Sequence, residues 1–236
     1  MKVHLTFLFL LAWIAFSNLI SGGPLGSMVG VVLALVVFGI VLLHELGHAI
    51  AARFHGIGVK DITLLPIGGV ARLERMPTEP RVELIVAAAG PAVNLVLAGL
   101  GALLLWALPG GIVAVLTQWF IGINVALLLF NLIPAFPMDG GRILRALLTR
   151  RYGLLKATEK ATTVARYAAV GLGLLGLVTF RLGLVLIALF VYFSSGMELA
   201  ILRWRSRGMF TFDPGVEPMG RGFGGPNPIF VVRRWR

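Results

Sequence analysis

Six apolar runs, each near the length needed to cross a bilayer, constrain this chain more than any other feature. They cover Leu5–Ile20, Met28–Phe54, Leu84–Leu108, Ile112–Ile133, Val164–Phe180 and Leu182–Leu199. A helical span of the hydrocarbon core takes about 20 mostly apolar residues. Inside that core every backbone N–H and C=O must be bonded within the protein, so spanning segments are helices or closed barrels. Continuous runs of this length, without strand alternation, predict helices. The last two runs are separated by Arg181 alone, beside Gly183. Composition agrees: 58% of the 236 residues are hydrophobic and 13% charged, against about 25% charged in a soluble domain.

The net charge of +11 would suggest nucleic acid in a soluble protein. Here most Lys and Arg lie between apolar runs, where they set topology and meet anionic lipid headgroups; no nucleic-acid partner is expected. SGGPLGSMVG and LPGG, between the first and second and the third and fourth runs, carry no charge. The segment Arg53–Arg81 holds five Lys/Arg, Arg142–Arg166 holds seven, and the tail after Leu199 holds seven arginines. By the positive-inside rule these three segments and both termini are expected on the cytoplasmic side of the cell membrane. Lys2 before an apolar run resembles a signal peptide, but SNLISGG has no clear A-x-A cleavage site, and the segment is expected to be retained. The chain has no cysteine, so disulfides, thiolate ligands and a cysteine nucleophile are excluded.

Within the second run stands VLLHELGHAIAARFHG, Val41–Gly56. His44, Glu45 and His48 are ionisable groups inside an apolar span, which marks a functional site by default. His44-Glu45-Leu46-Gly47-His48 is H-E-x-x-H. On a helix, residues i and i+4 share a face, so two imidazoles can hold one zinc ion. Glu45 stands beside them as a candidate general base. The plain alternative, two packing histidines, leaves Glu45 unexplained. With Arg53 at the cytoplasmic boundary, His48 lies about 8 Å and His44 about 14 Å inside.

A catalytic zinc takes a third protein ligand and keeps one open position. His55 is seven residues beyond His48, about 10 Å along the axis, and cannot supply it. His4 belongs near the membrane surface. Asp139 and Glu198 are the other acidic residues in the most apolar surroundings. Glu198 falls at the end of the last run, where it can face headgroups or pair with an Arg. Asp139 follows the fourth run in FNLIPAFPMDGGRILRALL and can reach the level of His48. Spacing alone favours Asp139, while Asp-Gly-Gly as an ordinary turn stays open.

Together these motifs make the chain resemble the site-2 protease family of intramembrane zinc metalloproteases. HELGH at 44–48, NLIPAFPMDGG at 131–141 and Gly90-Pro91-Ala92-Val93-Asn94 carry the resemblance over roughly residues 1–200. It implies one catalytic zinc on His44, His48 and Asp139, with Glu45 catalytic and the family's motif asparagine at Asn131. Residues 55–83 are too few for a PDZ domain and those after Ala200 too few for CBS domains. The chain thus looks like a compact relative of the sporulation-factor protease type.

Val59–Leu65 and Val70–Leu73 read as short strands joined around Pro66-Ile67-Gly68-Gly69. The fold class expected is an all-α polytopic membrane protein of about six transmembrane helices, with this small hairpin after the second. Residues 1–200 form the protease domain and 201–236 a basic tail. The resemblance favours substrate binding by the hairpin, with Gly68 and Gly69 as candidate contacts, by strand addition; a linker hairpin is the plain alternative. Asn131 and Asn94 are candidates for holding the scissile peptide, against ordinary interhelical bonding. Ala169 and Gly173 read as helix packing.

The resulting expectation is an intramembrane zinc endopeptidase that cleaves single-span membrane proteins in regulated intramembrane proteolysis. The competing class is a zinc-binding membrane protein or transporter without peptidase activity.

Overall fold

The computed structural model describes residues 2–3, 5–65, 68–74, 77 and 79–206. His4, Pro66, Ile67 and the basic tail beyond residue 206 lie outside the described residues. Helices dominate: α1 (Leu5–Phe54), α2 (Pro80–Ala107), α3 (Gly111–Asn131), α4 (Asp139–Tyr152), α5 (Leu154–Val178) and α6 (Leu182–Ser206). Among the described residues three strands, β1 (Lys2–Val3), β2 (Val59–Leu65) and β3 (Gly68–Leu73), form one small sheet.

Among the described residues five helices are long and apolar enough to cross a membrane, yet the first is two spans long. Fifty residues of α1 would reach about 75 Å if straight, against a core of about 30 Å. The helix breaks at Gly23, whose φ of 67° and ψ of −166° are non-helical, just before Pro24. Glycine takes that φ without a Cβ penalty, and Pro24 fits the start of the new helix. The two limbs then fold back on each other. The Phe7 and Phe38 rings meet edge to face with centroids 4.5 Å apart. The Asn18 side chain fills the space that a Cβ on Gly30 would need. The six-run reading is therefore met by a helical hairpin plus α2, α3, α5 and α6.

The sheet joins the outer ends of that hairpin. β1 pairs in parallel with β2, Lys2 opposite Thr63, so the residues before the first limb and those after the second lie at one end of the molecule. β2 pairs antiparallel with β3, Leu64 opposite Gly69 and Leu65 opposite Gly68. Gly68 and Gly69 are thus strand residues, two positions earlier than the sequence pattern suggested. Glycine reads locally as a turn residue, but the pairing with Leu64 and Leu65 extends the ladder through both. β1 is too short for a sequence pattern to show.

Two further elements depart from expectation. The stretch between the fourth and fifth runs contains a helix of its own, α4, and α5 starts ten residues before Val164. Arg and Lys in these segments lower the hydropathy without disfavouring helix. Between α5 and α6 the chain turns at Thr179–Arg181, with Phe180 at φ 53°.

Polarity is arranged as lipid demands. Trp13, Trp106, Trp119 and Phe180 are exposed, whereas the buried faces carry small and polar residues. Ala157, Ala161, Ala165 and Ala169 of α5 are all buried at four-residue spacing, a small-residue stripe for close helix contact. Ala165 and Ala169 pack with Val191 of α6 and with Ala135 and Met138. Gly173 comes near Ala188 of α6 in the same seam, in line with the packing role read for Ala169 and Gly173.

Candidate metal centre

Three chain segments converge on one point: the C-terminal limb of α1, the middle of α2, and the N-terminus of α4. His44 and His48 share a face of α1, and their Nε2 atoms lie 3.2 Å apart. Asp139 opens α4, and its Oδ2 lies 3.2 Å from each of those nitrogens. The three atoms form a nearly equilateral triangle.

α2 sets the orientation of both rings. His48 Nδ1 donates to the Val86 carbonyl oxygen at 2.7 Å. His44 Nδ1 donates to Asn94 Oδ1 at 3.3 Å. Each donor bond assigns the proton to Nδ1 and leaves the Nε2 lone pair facing the triangle. Gly90, between Val86 and Asn94, lies directly against these atoms. A Cβ there would come within 2.7 Å of His44 Nε2 and closer still to His48 Nε2. Gly47 does the same for helix packing: its Cβ would strike the Ala89 carbonyl at 2.8 Å, so α1 and α2 approach at backbone distance.

Asp139 is delivered by the irregular stretch after α3. Leu132 to Met138 turn tightly, with Ala135 N bonded to the Ile133 carbonyl and Met138 N to the Ala135 carbonyl; the Phe136–Pro137 peptide is cis. Ala135, Phe136 and Met138 are buried, which is how non-helical backbone is tolerated at this depth. Gly140 and Gly141 abut the carbonyls of Leu132, Ile133 and Ala135, where a Cβ would clash. Ser195 of α6 donates to the Phe136 carbonyl at 3.0 Å, and Thr162 of α5 donates to the Ser195 carbonyl at 3.3 Å.

The donor set fits a zinc ion. Two imidazole lone pairs and a carboxylate oxygen face one another with no proton assigned between them, an arrangement that repels unless a cation sits among them. Asp139 Oδ2 is buried and has no hydrogen-bond partner. Zinc bonds of 2.0–2.1 Å in tetrahedral geometry put ligand atoms about 3.3–3.4 Å apart, close to the 3.2 Å edges found here. His44, His48 and Asp139 are the group of three or more potential ligands found among the described residues.

The Peptidase family M50 profile matches residues 32–117 and 110–175, which include His44, His48, Val86, Gly90, Asn94 and Asp139. The chain belongs to peptidase family M50. It is 37% identical over 98% of its length to a zinc metalloprotease of Methanocaldococcus jannaschii, of which it covers 65%. It is 36% identical over half its length to stage IV sporulation protein FB of Bacillus subtilis, covering 41% of that protein. The chain thus spans less than two thirds of these curated relatives. The solved structure of a site-2 protease from M. jannaschii superposes with a TM-score of 0.59 at 36% identity, covering 84% of this chain and 89% of that one.

Other residues read from the sequence find varied places in this M50 fold. Glu45 follows His44 on α1 and is half-buried. His55 is exposed, its Nδ1 donating to the Ala51 carbonyl one turn back. Asn131 ends α3, and its amide donates to the Leu127 carbonyl at 3.0 Å. Asn94 is fully buried; its Oδ1 supports His44, while its Nδ2 is buried without a hydrogen-bond partner. Glu198 pairs with an arginine, the second of the options its sequence position left open: Arg145 Nη1 lies 2.7 Å from Glu198 Oε1. Arg145 also reaches Glu83 Oε1 through Nε at 2.7 Å and Nη2 at 2.6 Å. Burial works against its charge, but Glu83 and Glu198 outweigh this and hold the guanidinium above its ordinary value. This buried network escaped the sequence reading because Glu83 and Arg145 look like ordinary loop charges. Asn124, also fully buried, donates to the Phe120 carbonyl and was not singled out either.

Proposed function

We propose that this M50 chain is an intramembrane zinc endopeptidase, with His44, His48 and Asp139 as zinc ligands and Glu45 as general base. The observation that carries it is the 3.2 Å triangle formed by His44 and His48 of α1, a helix long and apolar enough to span a membrane that also bears Glu45, with Asp139 at the start of α4. When bound, the ion supplies Lewis acidity, which polarises a carbonyl and makes water a stronger acid. The residues do the rest. Val86 and Asn94 keep both rings in the Nδ1–H form, and Gly90 keeps the face before them open. Glu45 takes the proton of the attacking water and passes it to the leaving amine. Asn131 is the candidate to hold the scissile carbonyl, and would release the Leu127 carbonyl to do so.

The substrates proposed are single-span membrane proteins, as in regulated intramembrane proteolysis. A peptide bond within a helix is hydrogen-bonded and shielded, so it must unwind before the site can reach it. Helix-weakening residues near the cut are expected. Among the described residues β3 pairs only with β2, and its other edge, with Gly68 and Gly69 at its start, suits an unwound segment added as a strand. By the positive-inside rule the sheet end and α4 are cytoplasmic, with anionic lipid at that surface.

The test is Glu45→Gln. The variant should bind zinc as the wild type does and lose cleavage of a reconstituted single-span substrate by 10²-fold or more. Cleavage at the wild-type rate would sink the assignment. A comparison of membrane proteomes with the two forms should reveal the natural substrates as accumulated single-span precursors.

A further inference from the structure

The zinc reading accounts for two histidines and an aspartate, but not for the buried cationic network beside them. Arg145 lies six residues beyond Asp139 on α4, about 9 Å along the axis. Its guanidinium is almost fully buried, bonded to Glu83 of α2 and Glu198 of α6, and lies over the Phe136 ring at 5.1 Å. A buried ion pair is weak evidence for stability, because desolvation offsets the attraction. Its geometry here does something more specific than hold helices together.

Glu83 precedes Val86 by three residues and so shares its face of α2. Val86 holds His48. The same stretch of α2 therefore grips the ring of one ligand and the helix that carries another. On the other side, Glu198 and Ser195 lie three residues apart on one face of α6. Glu198 holds Arg145 while Ser195 holds the Phe136 carbonyl, just before Asp139. Phe136 is thus fixed at its carbonyl by Ser195 and covered on its ring by Arg145. Asp139 Oδ2 has no hydrogen bond of its own, so the position of α4 is what brings it to the two histidines.

We infer that Arg145 is a positioning residue for the metal centre: pinned by Glu83 and Glu198, it sets the register of α4 against α2 and thereby the distance of Asp139 from His44 and His48. Arginine suits the task because its rigid planar fork presents donors to two carboxylates in a fixed geometry, whereas lysine offers a flexible point charge. This rests on the zinc reading above.

The test is zinc retention by full-length protein in detergent, followed as the rate of zinc loss to a chelator, together with thermal unfolding. Arg145→Gln leaves two carboxylates unpaired and should release zinc faster by 10-fold or more. That variant alone could fail by misfolding, so a second one removes the charges together: Arg145→Met with Glu83→Gln and Glu198→Gln. Without a buried unpaired charge it should unfold near the wild-type temperature and still lose zinc at least 10-fold faster. Wild-type zinc retention in the folded triple variant would overturn the inference and leave the zinc reading intact. A wild-type protein that purifies and reconstitutes without one zinc per chain would overturn both.

Discussion

His48 and Val86 are joined across two helices by a bond that no side-chain substitution at position 86 removes: imidazole Nδ1 donates to a main-chain oxygen 2.7 Å away. The partner of His44, in contrast, is a side chain, Asn94. The two ligand histidines are therefore supported by one helix through different chemistry, and that difference can be tested.

Asn94→Ala should leave the Nδ1–H of His44 without an acceptor in a dry site. Loss of such an outer partner costs about 10–100-fold in metal affinity, and zinc titration against a competing chelator should show a fall of that size. Asn94→Asp retains an acceptor oxygen at the same place and should hold zinc within a few-fold of wild type. Equal losses in both variants would mean that Asn94 acts by packing alone.

Gly90→Ala sets two effects against each other. Alanine favours a helix interior over glycine by about 1 kcal/mol, so a plain helical site would gain stability. Here the new Cβ would press on the Nε2 atoms of both histidines. The neighbours are stiff rings held from behind, so the site must give. The expected outcome is an unfolding temperature near that of wild type with zinc content well below one per chain. A variant with full zinc and full activity would show that the rings can retreat.

How much of this was legible in the sequence follows from what each signal depends on. His44 and His48 could be read because helix spacing is local; Asp139 is favoured by its apolar surroundings, with an ordinary turn left open until the resemblance to site-2 proteases points to it. The hairpin of α1 could be read from a charge-free stretch between two runs. Val86 could not, since its contribution is a backbone oxygen and its side chain says nothing of it. Gly90 was visible as part of a motif, but the contact that explains it lies across a helix interface. Arg145 was hidden for the opposite reason: in an arginine-rich segment a buried cation has the same letter as a solvated one, and only the convergence of α2, α4 and α6 separates them.

Metal removal should be visible in stability. A ligand that binds only the folded state stabilises it by about 2.7 kcal/mol at a hundred times its dissociation constant. For a chain of this size that is roughly 5–10 °C in the unfolding temperature. Chelation of the wild type should lower the temperature by that order and abolish cleavage, with zinc restoring both. Asp139→Asn should start near the lower temperature and respond little to chelator, because the anionic corner of the triangle is gone. A chelator shift in Asp139→Asn equal to that of wild type would remove Asp139 from the ligand set.

The fold of α1 gives the last prediction. Phe7 and Phe38 stand 31 positions apart, which in an unbroken helix would separate them by about 46 Å. Folded at Gly23, their rings touch. The chain has no cysteine, so Phe7→Cys with Phe38→Cys introduces the sole reactive pair. A short bifunctional thiol reagent should link the two within one chain, seen by mass spectrometry of the digested protein, while either single variant should give no intramolecular link. If the pair cannot be linked in protein that still binds zinc, the limbs do not pack as a hairpin. The parallel pairing of β1 with β2 would then fall too, because it requires both ends of α1 at the same end of the molecule.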